Sequence, residues 1–148
     1  MALIIKPKFT LEGIKRVIHE KLDKIEQAII MRLQFVGETF VKNARENANF
    51  TDRTGNLRSS IGYVILKNGE RIASDIKPGK GGETSETVLG KVVPNFPKGF
   101  VLIVVAGMEY AAAVESKNFD VLTGSSLIAE DELRTAIKEM SKKIRKMK

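Results

Sequence analysis

The chain has 148 residues, 43% hydrophobic and 29% charged, with a net charge of +7. That is enough for one domain with a real core and leaves little room for a second. With no cysteine there is no disulfide framework and no thiolate metal cluster, and with His19 as the lone histidine any zinc site or histidine-based catalysis would rest on a single imidazole.

The opening MALIIKPKF carries an apolar patch of four residues, too short for a signal peptide, and no later run is long enough to span a membrane. A soluble protein made in a cytoplasm is expected, with residues 1–20 as an N-terminal arm. Apolar residues then recur at Leu11, Ile14, Ile18, Leu22, Ile25, Ile29, Leu33, Val36, Phe40 and Ala44, in steps of 3, 4 and 4 repeated three times. The mean of about 3.67 residues per turn predicts a nearly straight helix, with Thr10 as its N-cap. Unbroken to Asn47, it would be roughly 55 Å long, more than the diameter of about 40 Å of a globule this size. Either it breaks at Gly13 or Gly37, or its apolar stripe packs on a neighbouring subunit, with Leu11 to Ile18 as the reaching arm.

The stretch FTDRTGNLRSSIGYVI, from Phe50, reads as a capped turn. Asp52 or Thr54 accepts backbone N–H groups, Gly55 supplies an angle other residues resist, and Leu57 and Ile61 anchor the turn on the core. Arg53 and Arg58 are left facing outward. A strand at Ile61–Lys67, the pair Asn68-Gly69 and the run ERIAS predict a hairpin. Tyr63 and Ile65 share one face and Val64 and Leu66 the other, so this strand belongs inside its sheet. Residues 76–99, with KPGKGGETSE, read as a mobile loop in which ETVLGKVV forms a helical turn or a short strand. FVLIVVA, Phe100 to Ala106, reads as a buried strand. MEYAAAVE is expected to be a short helix or a turn, and Asp120–Leu122 a brief strand. A last helix, capped by Thr123, Ser125 or Ser126, carries the stripe Leu133, Ile137, Met140, Ile144 and Met147. Its acids Glu130, Asp131 and Glu132 come first and its bases last, as the helix dipole favours. The class is α+β: a long N-terminal helix, a small, mainly antiparallel sheet with an Asn-Gly hairpin, and a C-terminal helix packed on the sheet, all in one domain, 1–148.

Candidate chemistry is sparse. GKGGETS, Gly79 to Ser85, lacks the Gly-Lys-Ser/Thr ending of a phosphate loop. TGSSL is not a nucleophile elbow. Glu109, Glu115 and Asp120 have no spacing that demands a metal, and His19, just off the apolar stripe, reads as a surface or interface residue. No enzyme, cofactor or metal is expected. Nearly all the net charge lies in Arg134, Lys138, Lys142, Lys143, Arg145, Lys146 and Lys148, opposed by Glu139 alone. A basic helix of this kind is usually a solvated helix end, and the alternative is a nucleic-acid-binding protein using it on phosphates.

Two motifs in order carry a resemblance. Thr54, Gly55, Leu57, Arg58, Ser60 and Ile61 match a Thr-Gly-x-Leu-Arg-x-Ser-Ile pattern after a helix, and Tyr110, Ala111, Val114 and Glu115 match a later Tyr-Ala-x-x-Val-Glu pattern after a strand. From about Leu22 onward the chain resembles the tail-completion and minor tail component family of long-tailed bacteriophages and prophages. It departs at Ser116–Phe119, where many relatives carry Phe/Tyr-Gly-Thr. The resemblance implies a structural, non-enzymatic subunit, a ring-like homo-oligomer joining the capsid's connector to the tail-tube protein. Such a subunit resides in the virion after assembly in the bacterial cytoplasm, with no membrane partner. The expected interface residues are Leu11, Ile14, Ile18, Arg53, Arg58, Tyr110 and Glu115.

Overall fold

The computed structural model describes residues 2–6, 8–46, 51–108 and 123–146. The first helix, α1 (Leu11–Glu46), starts at its expected cap: the Thr10 hydroxyl accepts the Gly13 N–H at 3.0 Å, and the Thr10 carbonyl accepts the Ile14 N–H at 3.1 Å. It runs 36 residues without a break. Gly37 is not a hinge. A Cβ there would lie 2.8 Å from the Tyr63 ring, so the glycine lets helix and strand approach closely.

The chain divides into two compact units, 1–31 and 32–148, the boundary falling inside α1. In the second unit, a one-turn helix α2 (Asn56–Ser59) leads into β1 (Ile61–Lys67), which pairs antiparallel with β2 (Glu70–Asp75) and with β3 (Phe100–Ala106) in the order β2-β1-β3. The hairpin forms where the sequence places it. Asn68 and Gly69 take φ of 51° and 83°, the left-handed pair that matches the strands' twist. Asn68 also ties the far end of the sheet: its side-chain oxygen accepts the Gly99 N–H, and its own N–H donates to the Gly99 carbonyl, both at 2.9 Å.

Ile61 to Leu66 are all buried, as expected of a central strand. Tyr63 faces the last turns of α1, where Val36, Phe40, Val41 and Ala44 are buried. On the opposite face, Val64 and Leu66 pack with Val105 of β3 and with Leu89 of a third helix, α3 (Lys80–Val92), which ends in a short 3-10 turn, Val93–Asn95. The last helix, α4 (Thr123–Lys146), meets the second half of α1: Arg32 pairs with Glu139 at 3.3 Å, and a cleft of about 230 Å³ is lined by Phe35, Val36, Thr135 and Ala136. Helices on both sides of a three-stranded antiparallel sheet make the α+β architecture predicted.

Two expectations are corrected. Residues 76–99 are not a loop: thirteen of them form α3. Gly81 and Gly82 suggested a loop, but both are buried because backbone approaches them where a side chain would stand. A Cβ on Gly81 would lie 2.5 Å from the Asn56 carbonyl oxygen, and one on Gly82 would collide with the Lys77 carbonyl. FVLIVVA is a strand but not a buried one. Among the described residues it is an edge strand with one neighbour, and only Val105 of its seven side chains is buried. The expected helix or turn at MEYAAAVE, beyond Met108, and the strand at Asp120–Leu122 lie outside the described residues.

Candidate functional site

The turn between α1 and β1 is built as its residue types dictate. Asp52 Oδ2 accepts the Arg58 N–H at 2.7 Å, Thr54 Oγ1 accepts the Asn56 N–H at 3.4 Å, and Gly55 sits at φ 70°. Leu57 and Ile61 are 1% and 0% exposed and pin the turn to the core. Arg53 and Arg58 are exposed beside it.

The sequence alone did not show that GKGGETS docks on this same turn. The Ser85 hydroxyl lies 2.6 Å from the Ser60 carbonyl and 3.0 Å from the Gly81 carbonyl, and the Gly107 N–H reaches the Ser60 carbonyl at 3.3 Å. The Ser60 hydroxyl donates to the Leu57 carbonyl at 2.8 Å. Both serines are buried and their hydroxyls donate to backbone oxygens, so they rivet the turn to α3. The one legible signal was the four-residue spacing of Ser85 and Leu89 behind the glycines, which places both on a single helix face.

A polar cluster closes the same end of β1 on its α1 side. Arg45 reaches the Ile61 carbonyl at 2.5 Å and Asp75 at 3.3 Å. Burial, reinforced by the Glu38 and Asp75 carboxylates and a hydrogen bond to Glu38, pushes the Tyr63 phenol above its ordinary value. This cluster fastens α1 to the hairpin. Among the described residues, no three His, Asp or Glu side chains gather as a metal would need, and no helix is long and apolar enough to cross a membrane.

In the first unit, the apolar stripe is bare. Leu11, Ile14, Ile18 and Leu22 are 68%, 38%, 51% and 50% exposed, and a groove of about 550 Å³ runs past Phe9, Ile14, Val17 and Ile18. His19 is exposed on the same helix. Thus Leu11, Ile14 and Ile18 share one surface in the first unit, and Arg53 and Arg58 share another in the second. Tyr110 and Glu115 lie outside the described residues. Lys138, Lys142, Lys143, Arg145 and Lys146 are exposed along α4.

No protein-family model, curated protein or solved structure matches the chain.

Proposed function

We propose that this protein is a structural subunit of the head–tail connector or tail-completion type, self-assembling as a ring between a phage capsid connector and a tail tube in the virion. The resemblance of the Thr54–Ile61 and Tyr110–Glu115 motifs supplies the class. The observation that carries it is the first half of α1, whose regularly spaced large apolar side chains lie bare to solvent. Uncovered apolar area of this kind marks a protein contact in a soluble chain. Its joint at Ser60 and Ser85 is spent on holding the fold together.

Sedimentation velocity over a range of concentrations tests this. A defined oligomer is expected, and Leu11→Ser with Ile14→Ser and Ile18→Ser should dissociate it without lowering the melting temperature of the second unit. A protein that stays monomeric throughout would sink the reading. The basic face of α4 favours a second reading, nucleic-acid binding, which requires DNA affinity that falls steeply with salt. Weak DNA binding with little salt dependence rejects that alternative.

A further inference from the structure

The two edges of the sheet are built differently. The β2 edge carries the charges Glu70, Arg71 and Asp75, and its ladder slips between Ile65 and Leu66, leaving Ile72 out of register. Charges and a bulge are how proteins keep an edge strand from pairing with another chain. The β3 edge has neither. Phe100–Ala106 contains no charged residue, no proline and no register shift across its seven pairs with β1.

The pairing also fixes which backbone groups are left over. Gly99 and Gly107, which flank β3, bond to Asn68 and Ser60, which flank β1. In an antiparallel ladder, alternate residues face alternate sides. Val101, Ile103 and Val105 therefore face β1, while Phe100, Leu102, Val104 and Ala106 turn their N–H and C=O groups to an edge that is open among the described residues. The side chains along this edge are half-exposed on both sheet faces, Leu102 and Val104 on the α1 face, Val101 and Ile103 on the α3 face. A strand added here would be apolar on both sides, which requires an unbroken apolar run and not an alternating one.

The chain carries such a run. Leu3, Ile4 and Ile5 belong to no helix or strand and are 85%, 77% and 85% exposed. Ala2–Lys6 would span about 17 Å as a strand, within the roughly 23 Å of β3. Pro7, which has no N–H to donate, bounds it. We infer that the open edge of β3 is a strand-acceptor site and that its occupant is the Leu3–Ile5 segment of a second copy of this chain. Main-chain hydrogen bonds give such a contact its strength, and the alternating side chains give its register. Arm and edge are different patches, so the contact is heterologous and closes into a ring or runs on as a fibre. The inference deepens the assembly reading and rests on it.

The chain has no native cysteine, which makes the test direct. Full-length Ile4→Cys and Leu102→Cys proteins are mixed and treated with a short bis-maleimide. A cross-linked heterodimer is expected, well above that from Ile4→Cys mixed with Ser74→Cys on the guarded edge. Equal yields overturn the inference. Amide exchange gives a second readout. In the assembly the outward amides of Leu102 and Val104 should slow by about tenfold or more, and in an Ile4→Pro chain they should return to fast exchange. Protection that survives Ile4→Pro overturns the inference, because another occupant, such as residues 109–122, then covers the edge. An oligomer that persists in Ile4→Pro with a fast edge defeats this contact and leaves the assembly reading standing. A wild-type chain that is monomeric at its highest soluble concentration defeats both.

Discussion

The two halves of α1 obey the same spacing and meet opposite fates. Leu33, Val36, Phe40 and Ala44 are 7% exposed or less, while Leu11, Ile14, Ile18 and Leu22 are 38% to 68% exposed. Periodicity states only that a helix has an apolar side. It does not state which molecule supplies the cover. In the second half, the cover is the chain's own sheet, and the identities of the neighbouring residues reveal it. Gly37 is small where Tyr63 arrives, and Arg45 reaches down to Ile61. The first half has no such adaptation to a fixed neighbour.

Mutations can sharpen that contrast. Phe40→Ala, in the buried half, should cost about 3–5 kcal/mol in urea unfolding, through lost transfer energy and a cavity. A cost below about 1 kcal/mol would mean that this half is not core. Gly37→Ala should lose about 1 kcal/mol net, because crowding the Tyr63 ring costs about 1–3 kcal/mol and the gain in helix propensity returns up to about 1. A stabilised variant would show that the close approach is slack.

The Tyr63 phenol, bonded to Glu38 on the buried half, gives a pH signature. Its pKa in the fold lies above the ordinary 10.0, so its contribution to stability is complete below pH 10 and is lost as pH rises through the folded value. Unfolding midpoints should fall in alkali, and the fall should be shallower in Tyr63→Phe. An equally steep decline in that variant would remove burial of the phenol as the cause. The smallest effects belong to exposed positions. Ile18→Ala and Arg58→Ala should each change folding stability by no more than about 0.5 kcal/mol. Arg58→Ala keeps the backbone N–H that Arg58 donates to the Asp52 cap. Both variants should weaken association in sedimentation, and a large loss of folding stability in either would show that its side chain is buried and structural.

Local chemistry was legible because it is short-ranged. Thr10, Asp52, Thr54 and Gly55, with the Asn68-Gly69 turn, act within a few residues of themselves, and each sits where its type predicts. The failures were at positions whose neighbours are distant in sequence. Gly81 is a glycine because α2 passes over it, 25 residues earlier in the chain at Asn56, and only the fold reveals that. Phe100–Ala106 looked buried because seven apolar residues in a row describe a strand meant for cover on both sides. Among the described residues one strand pairs with it, and the sequence could not show that the second side has no described partner. The surfaces expected for assembly were readable as apolar or cationic, but nothing local indicates which of them meet.

The 3-4-4 spacing of α1 also limits what can lie beside it. Its apolar residues return every eleven positions, Leu11 to Leu22 to Leu33, close to three helical turns per return. A partner helix built on the seven-residue repeat of an ordinary zipper winds left-handed, and relative to a straight helix its seam drifts by about 20° per repeat. Against Leu11–Ile29 such a partner would swing off the stripe within a few turns. A helix with the same eleven-residue beat would stay in contact along its length, straight or with a slight right-handed wind. The chirality of any pairing along α1 is thus written into its spacing, and it rejects most amphipathic helices.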